Sequence, residues 1–245
     1  MPKDNYADST KAAASHDASK ASLPHCPKRV TIISGHFGSG KTNIAVNYAM
    51  HLCKAGYKTA LADLDTVNPY FRAKDSKPLL EENGIRFICS EYANSNVDIP
   101  ALPPDFYSIT DDKTEKVVMD IGGDDRGALV LGRLVPEIIE ENSYEMLFVV
   151  NFSRPLTPDA ESALEIMREI ETACRLPFTG IVNNTNIGRE TTAKTVIKSE
   201  KEVFRLSSLS GLPIVATTVR EDLLAEVSEH IKNIFPIELQ KNIYK

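Results

Sequence analysis

The chain of 245 residues contains no tryptophan, and aromatic residues make up only 7% of it. Its four cysteines, Cys26, Cys53, Cys89 and Cys174, stand far apart with no Cys-x-x-Cys pair. That spacing excludes zinc-ribbon and ferredoxin-type clusters, and so few cysteines in so long a chain argue against a disulfide framework. Reduced thiols in a cytoplasmic protein are the expectation, with Cys53 and Cys174, on expected helices, as buried packing residues. No apolar run approaches the roughly 18 residues of a membrane-spanning helix, so no membrane span is expected. Positive charge is in deficit. Lys and Arg number 28 against 34 Asp and Glu, a net charge of −6. Broad binding to nucleic acid or to an anionic membrane surface is therefore not expected. The first 27 residues lack Ile, Val, Phe and Arg, and hold one leucine, Leu23. They cannot bury enough apolar surface to offset their ordering entropy. With no apolar core segment and no Arg, they are neither a secretory signal nor a transit peptide. Residues 1–27 are expected to be a disordered tail.

What is present begins at Arg29. Short apolar runs alternate with longer amphipathic stretches. Strands are expected at 30–33, 59–62, 85–89, 117–119, 147–150, 178–182 and 213–216. Helices are expected at 42–54, 127–141, 158–174, 192–207 and 222–233. Strands that are almost continuously apolar and separated by helices imply a mostly parallel sheet covered on both faces. The expected fold is a doubly wound α/β domain over 28–245.

After the first strand comes Gly35-His36-Phe37-Gly38-Ser39-Gly40-Lys41-Thr42, a full match to G-x-x-x-x-G-K-[ST]. Glycines let such a loop turn its N–H groups inward on phosphates. The expected phosphate cradle runs through Gly35, Phe37, Gly38, Ser39, Gly40, Lys41, Thr42 and Asn43. The helix that follows adds its positive N-terminal end. Lys41 is placed to reach the β and γ phosphates, and Thr42 to ligate Mg²⁺.

A phosphate loop needs an acid at a neighbouring strand end. Two strands end in one: Leu61-Ala62 runs into Asp63-Leu64-Asp65, and Val117-Val118-Met119 into Asp120-Ile121-Gly122-Gly123. An apolar run closed by Asp at a carboxyl end is the Walker B pattern, and ligands of open α/β sheets bind at that edge. A lone Asp there is more often a turn or cap residue. Beside a phosphate loop, Asp65 and Asp120 are candidate catalytic residues with Lys41, and candidate metal ligands with Thr42. Asp124 and Asp125 read as solvated charges.

With these motifs, residues 29–235 resemble the SIMIBI class of P-loop proteins, specifically the MinD/ParA-type ATPases with the CobQ/CobB nucleotide-binding fold, and are similar to bacterial ATP-binding proteins. The resemblance implies a first switch at Asp63-Leu64-Asp65, whose second Asp lies near the γ-phosphate and the attacking water. It implies a Walker B and second switch at Asp120-Ile121-Gly122-Gly123. It implies an adenine-contacting Asn at the end of Gly180-Ile181-Val182-Asn183-Asn184, with Asn184 preferred, and an adenine-flanking loop at Arg220-Glu221-Asp222. One position departs from the family: the Lys that follows the first loop Gly is here His36. In the family that Lys reaches a dimer partner's nucleotide, so its absence weighs against a nucleotide-sandwich dimer. Arg72, in Asn68-Pro69-Tyr70-Phe71-Arg72, is a candidate for phosphate or partner contact.

The guanine-gripping Asn-Lys-x-Asp motif is absent, and Asn183-Asn184-Thr185-Asn186 stands at the strand end instead. ATP with Mg²⁺ is the expected ligand pair. The preferred function is a Mg²⁺-dependent ATPase acting as a nucleotide switch on a protein partner, with a homodimer left open. The alternative is an ATP-using small-molecule enzyme, a kinase or a CobB/dethiobiotin-synthetase-like ligase, with its pocket in the loop 94–105. A metal or Fe–S carrier is disfavoured by the isolated cysteines.

Overall fold

The computed structural model describes residues 27–65, 76–89, 104–123, 127 and 131–239. In chain order the elements are β1 (Val30–Ser34), α1 (Lys41–Lys54), β2 (Thr59–Asp63), α2 (Lys77–Glu82), β3 (Arg86–Cys89), α3 (Pro104–Asp111), β4 (Lys116–Asp120), α4 (Val135–Glu141), β5 (Tyr144–Val150), α5 (Ala160–Cys174), β6 (Gly180–Asn183), α6 (Ala193–Ser210), β7 (Ile214–Arg220), α7 (Leu224–Val227) and β8 (Ile234–Ile237). The strands form one sheet in the order β3-β2-β4-β1-β5-β6-β7-β8. Every pairing is parallel.

Side chains alternate faces along a strand, so a strand buried on both sides needs apolar residues toward each face. β1 is such a strand. Ile32 faces a core shared with Phe106 and Ile109 of α3, Ile138 of α4, Met167 of α5 and Leu206 of α6. Its neighbour Ile33 faces a second core with Ile44, Tyr48, Ala49 and Leu52 of α1 and Leu80 of α2. The doubly wound α/β reading is thus correct. Register then sets the functional edge. Asp63 pairs with Asp120 across β2 and β4, and Ile33 of β1 pairs with Asp120 on its other side. The two acidic strand ends and the start of the phosphate loop therefore lie side by side.

Three expectations need correcting. The closing helix expected over 222–233 is a 3-10 turn (Glu221–Leu223) and the four-residue α7, followed by the unforeseen strand β8. Its Pro236 disguises a strand. Proline is tolerated there because β8 is an edge. Phe235 of β8 packs edge-on against Tyr48, with ring centroids 6.2 Å apart, and against His51. Asn47 pins the strand further by donating to Glu238 O and accepting from Glu238 N. Phe235→Ala is therefore expected to cost about 3 kcal/mol in a urea titration, the usual toll of emptying a buried aromatic site. A loss below about 1 kcal/mol would mean that β8 is dispensable to the core.

The second correction is the helix expected over 127–141, which is broken by a turn at Arg133 and Leu134 before α4 begins. Pro136 accounts for the break: it has no N–H to donate, and its ring clashes with the carbonyl four residues back. The third is Cys53, expected to be buried but half-buried, its Sγ donating to Asn83 O. Cys174 is buried as expected, and burial pushes its thiol up to about 11. Residues 1–26, Asn68–Arg72 and all of 94–103 lie outside the described residues. Among the described residues no helix is long and apolar enough to cross a membrane.

Candidate nucleotide site

The loop between β1 and α1 depends on its glycines at specific points. Gly38 and Gly40 hold φ of +77° and +90°, a region that side chains disfavour. At Gly35 the constraint is space, since a Cβ would sit 2.3 Å from Val149 O of the adjacent strand. Gly40 caps α1 without a side-chain hydrogen bond, and no acidic residue occupies the helix's first turn. Gly40 has no side chain to compete for the N–H groups at this helix start, the arrangement that receives an anion. Asn43, in the first turn, is half-buried. The Ser39 hydroxyl is buried and meets no hydrogen-bond partner among the described residues. Phe37, within the loop, is 57% exposed. His36 spends its Nδ1–H on the Phe37 carbonyl, 2.8 Å away.

Lys41 is the electrostatic centre. It is almost wholly buried, and its Nζ lies 2.6 Å from Asp65 Oδ2. Burial alone would drive its proton off. The carboxylates of Asp120, Asp65 and Asp63 outweigh that and raise its pKa above the ordinary lysine value. The cost appears on the acids. Asp120 is fully buried, and burial raises its carboxyl above the usual range while the Lys41 ammonium pulls it down. Asp63 is raised as well, by burial first and then by Asp120 opposite it in the sheet. Its Oδ1 accepts from the Asp65 N–H at 3.1 Å, which bends the chain so that Asp65 returns toward Lys41.

Lys41, Thr42, Asp65 and Asp120 are therefore brought together as the sequence spacing required. A Mg²⁺ ion fits this set. Both Asp120 carboxylate oxygens are buried without a hydrogen bond among the described residues, and Thr42 lies beside them. Among the described residues no three His, Cys, Asp or Glu side chains form a self-sufficient metal cage. Mg²⁺ needs none, because it binds through one or two protein groups together with phosphates and water.

Asn184 lies close to the phosphate loop, with its amide turned inward. Nδ2 donates to Ser39 O at 2.6 Å, and Oδ1 accepts from the Thr218 hydroxyl. Both ends of the amide are committed within the protein, so Asn184 braces the loop here. A Cβ on Gly40 would stand 2.3 Å from this amide. Asn183 is buried and bonded to Ser199 and Thr185. Arg220 pairs with Asp222 and donates to the carbonyls of Gly188 and Arg189, tying the loop after β7 to that after β6. Sequence reasoning missed two contributors. Asp63 was passed over for Asp65, although its register with Asp120 makes it part of the charge cluster. Arg154, from the turn after β5, donates Nε to Gly38 O at 2.9 Å. Its signal was position, because β5 is β1's neighbour and Arg154 follows its carboxyl end.

The sequence model of the CobQ/CobB/MinD/ParA nucleotide binding domain matches residues 30–234. No curated protein matches the chain. Solved structures do. FtsY from Mycoplasma mycoides aligns with a TM-score of 0.50 and 16% identity, over 76% of this chain and 57% of that one. Cell division protein FtsY from Thermotoga maritima aligns with 0.49 and 21%, over 78% and 61%. The signal recognition particle 54 kDa protein from Aeropyrum pernix K1, in complex with GDP, aligns with 0.49 and 18%, over 80% and 42%. This chain thus spans less than two thirds of those chains, and at 16% identity the likeness to the first of them concerns the fold alone.

Proposed function

The chain belongs to the CobQ/CobB/MinD/ParA nucleotide-binding domain family, and from that premise we propose that it is an ATP-binding, Mg²⁺-dependent ATPase acting as a nucleotide switch on a protein partner. The observation that carries the reading is the meeting of Lys41 and Thr42 with Asp65 and Asp120 at the carboxyl edge of the sheet. ATP is preferred to GTP because the guanine-gripping motif is missing where β6 ends in Asn183-Asn184-Thr185-Asn186.

The chemistry follows from positions. Backbone N–H groups of the loop and the start of α1 hold the phosphates, and Lys41 neutralises the β and γ groups. Thr42 and Asp120 would hold Mg²⁺, which, when bound, offsets charge on the transferring phosphoryl oxygens. Asp65 holds Lys41 at 2.6 Å. Once phosphate takes over that ammonium, Asp65 is released to orient water toward the γ-phosphorus. Catalysis of this type is positioning and charge stabilisation.

The switch part rests on the segment after Asp120. Gly123 lies so near the loop that a Cβ would stand 2.4 Å from Gly35 O, and a Cβ on Gly127 would stand 2.7 Å from Gly122 O. A change at the phosphate loop is thereby felt directly by the chain that follows Asp120. The test is light scattering after size exclusion, run without nucleotide, with ADP–Mg²⁺ and with a non-hydrolysable ATP analogue. The expected result is an assembly state that differs between the diphosphate and the triphosphate analogue. One state under all three conditions would count against the switch and favour the small-molecule enzyme.

A further inference from the structure

Strand β5 ends at Val150, and the turn beyond it is built around the buried Asn151. The Asn151 side chain accepts from Ser153 N and donates to Asn186 O. Its carbonyl accepts from Arg154 N at 3.1 Å and from the Thr157 hydroxyl at 2.7 Å. Phe152 N donates to the Thr185 hydroxyl. This turn is held from both sides before Arg154 reaches out of it. The Arg154 side chain then crosses to the tip of the phosphate loop, where Nε donates to Gly38 O at 2.9 Å.

Among the described residues the rest of that guanidinium is uncommitted. Among the described residues neither Nη1 nor Nη2 meets a carbonyl or a carboxylate, in contrast to Arg29, Arg86 and Arg220, which are ion-paired. A guanidinium held through Nε presents its remaining N–H groups as a fork of the kind that binds phosphate oxygens. His36, within the loop itself, has turned its Nδ1–H to the Phe37 carbonyl. Gly38 precedes Lys41 in the loop, and Lys41 serves the β and γ phosphates, whereas the loop amides cradle α and β. A cation held against this loop has its largest effect on phosphoryl transfer where it reaches the terminal phosphate.

Resting on the nucleotide-site reading above, we propose that Arg154 is a cis-acting specificity residue. Its Nε braces Gly38 while its Nη groups take an oxygen of the terminal phosphate, so that it favours a nucleoside triphosphate over a diphosphate. The bond to Gly38 keeps the side chain in place beforehand and lowers the ordering entropy of the contact.

The test is calorimetric titration of ADP and AMP-PNP, both with Mg²⁺, into the wild-type chain, Arg154→Gln and Arg154→Lys. Arg154→Gln is expected to weaken AMP-PNP by about tenfold or more while ADP changes less than about twofold. Arg154→Lys, which keeps the charge and loses the fork, is expected to fall between. Because Arg154 is exposed, both variants should keep the wild-type thermal midpoint. Equal weakening of both nucleotides would make Arg154 a brace only and overturn the proposal, as would no change in either. If wild type binds neither nucleotide, or Lys41→Ala binds both normally, the nucleotide-site reading fails, and this proposal fails with it.

Discussion

Replacing Lys41 with Ala is expected to weaken ATP binding by at least about a hundredfold, close to 3 kcal/mol. In the folded chain this ammonium stands among three carboxylates that all raise its pKa. It is already desolvated, and its geometry is set by Asp65. Phosphate binding therefore meets a charge whose burial has been paid in the folding of the domain, and removing it deletes that advantage in full. The substitution also strands Asp65 and Asp120 in a buried site without their counter-charge, which destabilises a fold unless the acids take up protons. Lys41→Arg separates the two effects. It keeps the charge and lacks the room, so it should retain most of the thermal stability and still bind ATP poorly. ATP affinity unchanged in Lys41→Ala would refute the assignment of the loop.

The second large effect carries two opposite signs. Asp120→Asn is expected to lower Mg²⁺-dependent ATP hydrolysis by about 10²–10³-fold, because a metal's charge stabilisation of a transition state is worth several kcal/mol. The same substitution is expected to leave the nucleotide-free chain as stable or more stable. Asp120 is fully buried, and both its oxygens lack hydrogen bonds among the described residues. Burial holds its carboxyl above the ordinary range. A carboxyl raised on folding supports the folded state most when protonated, and that support is lost as pH rises through the folded value. The gain from Asp120→Asn should therefore be small near pH 4 and grow toward neutral pH in parallel urea titrations. A variant that is less stable at every pH and keeps its response to Mg²⁺ would mean that Asp120 serves the fold and not the metal.

The legible part of this protein is what the chain writes locally. Eight consecutive residues state the phosphate loop, and the fold keeps it between β1 and α1 as strand–loop–helix chemistry requires. Asp120 was legible because an apolar run ended on it. Asn184 was legible as a position, and its contact with the phosphate loop was not: its amide bonds Ser39, 145 residues away in sequence, and only the sheet order makes them neighbours. The same holds for Arg154 and Gly38, 116 residues apart. Asp63 and Asp65 are both two-thirds of a motif on paper. The distinction between them, one opposite Asp120 in register and one on Lys41, is set by an Asx-type turn at Asp63. Strand β8 escaped because four residues containing Pro236 carry little periodic signal. Its evidence is the partner surface, the flank of α1 that Phe235 covers.

The most direct measurement is a calorimetric comparison of ATP–Mg²⁺ and GTP–Mg²⁺ binding to the wild-type chain. Saturation at one ATP per chain, with GTP weaker by about tenfold or more, is the predicted result. GTP bound as tightly as ATP would contradict the reading of the base, and the binding of neither nucleotide would contradict the site.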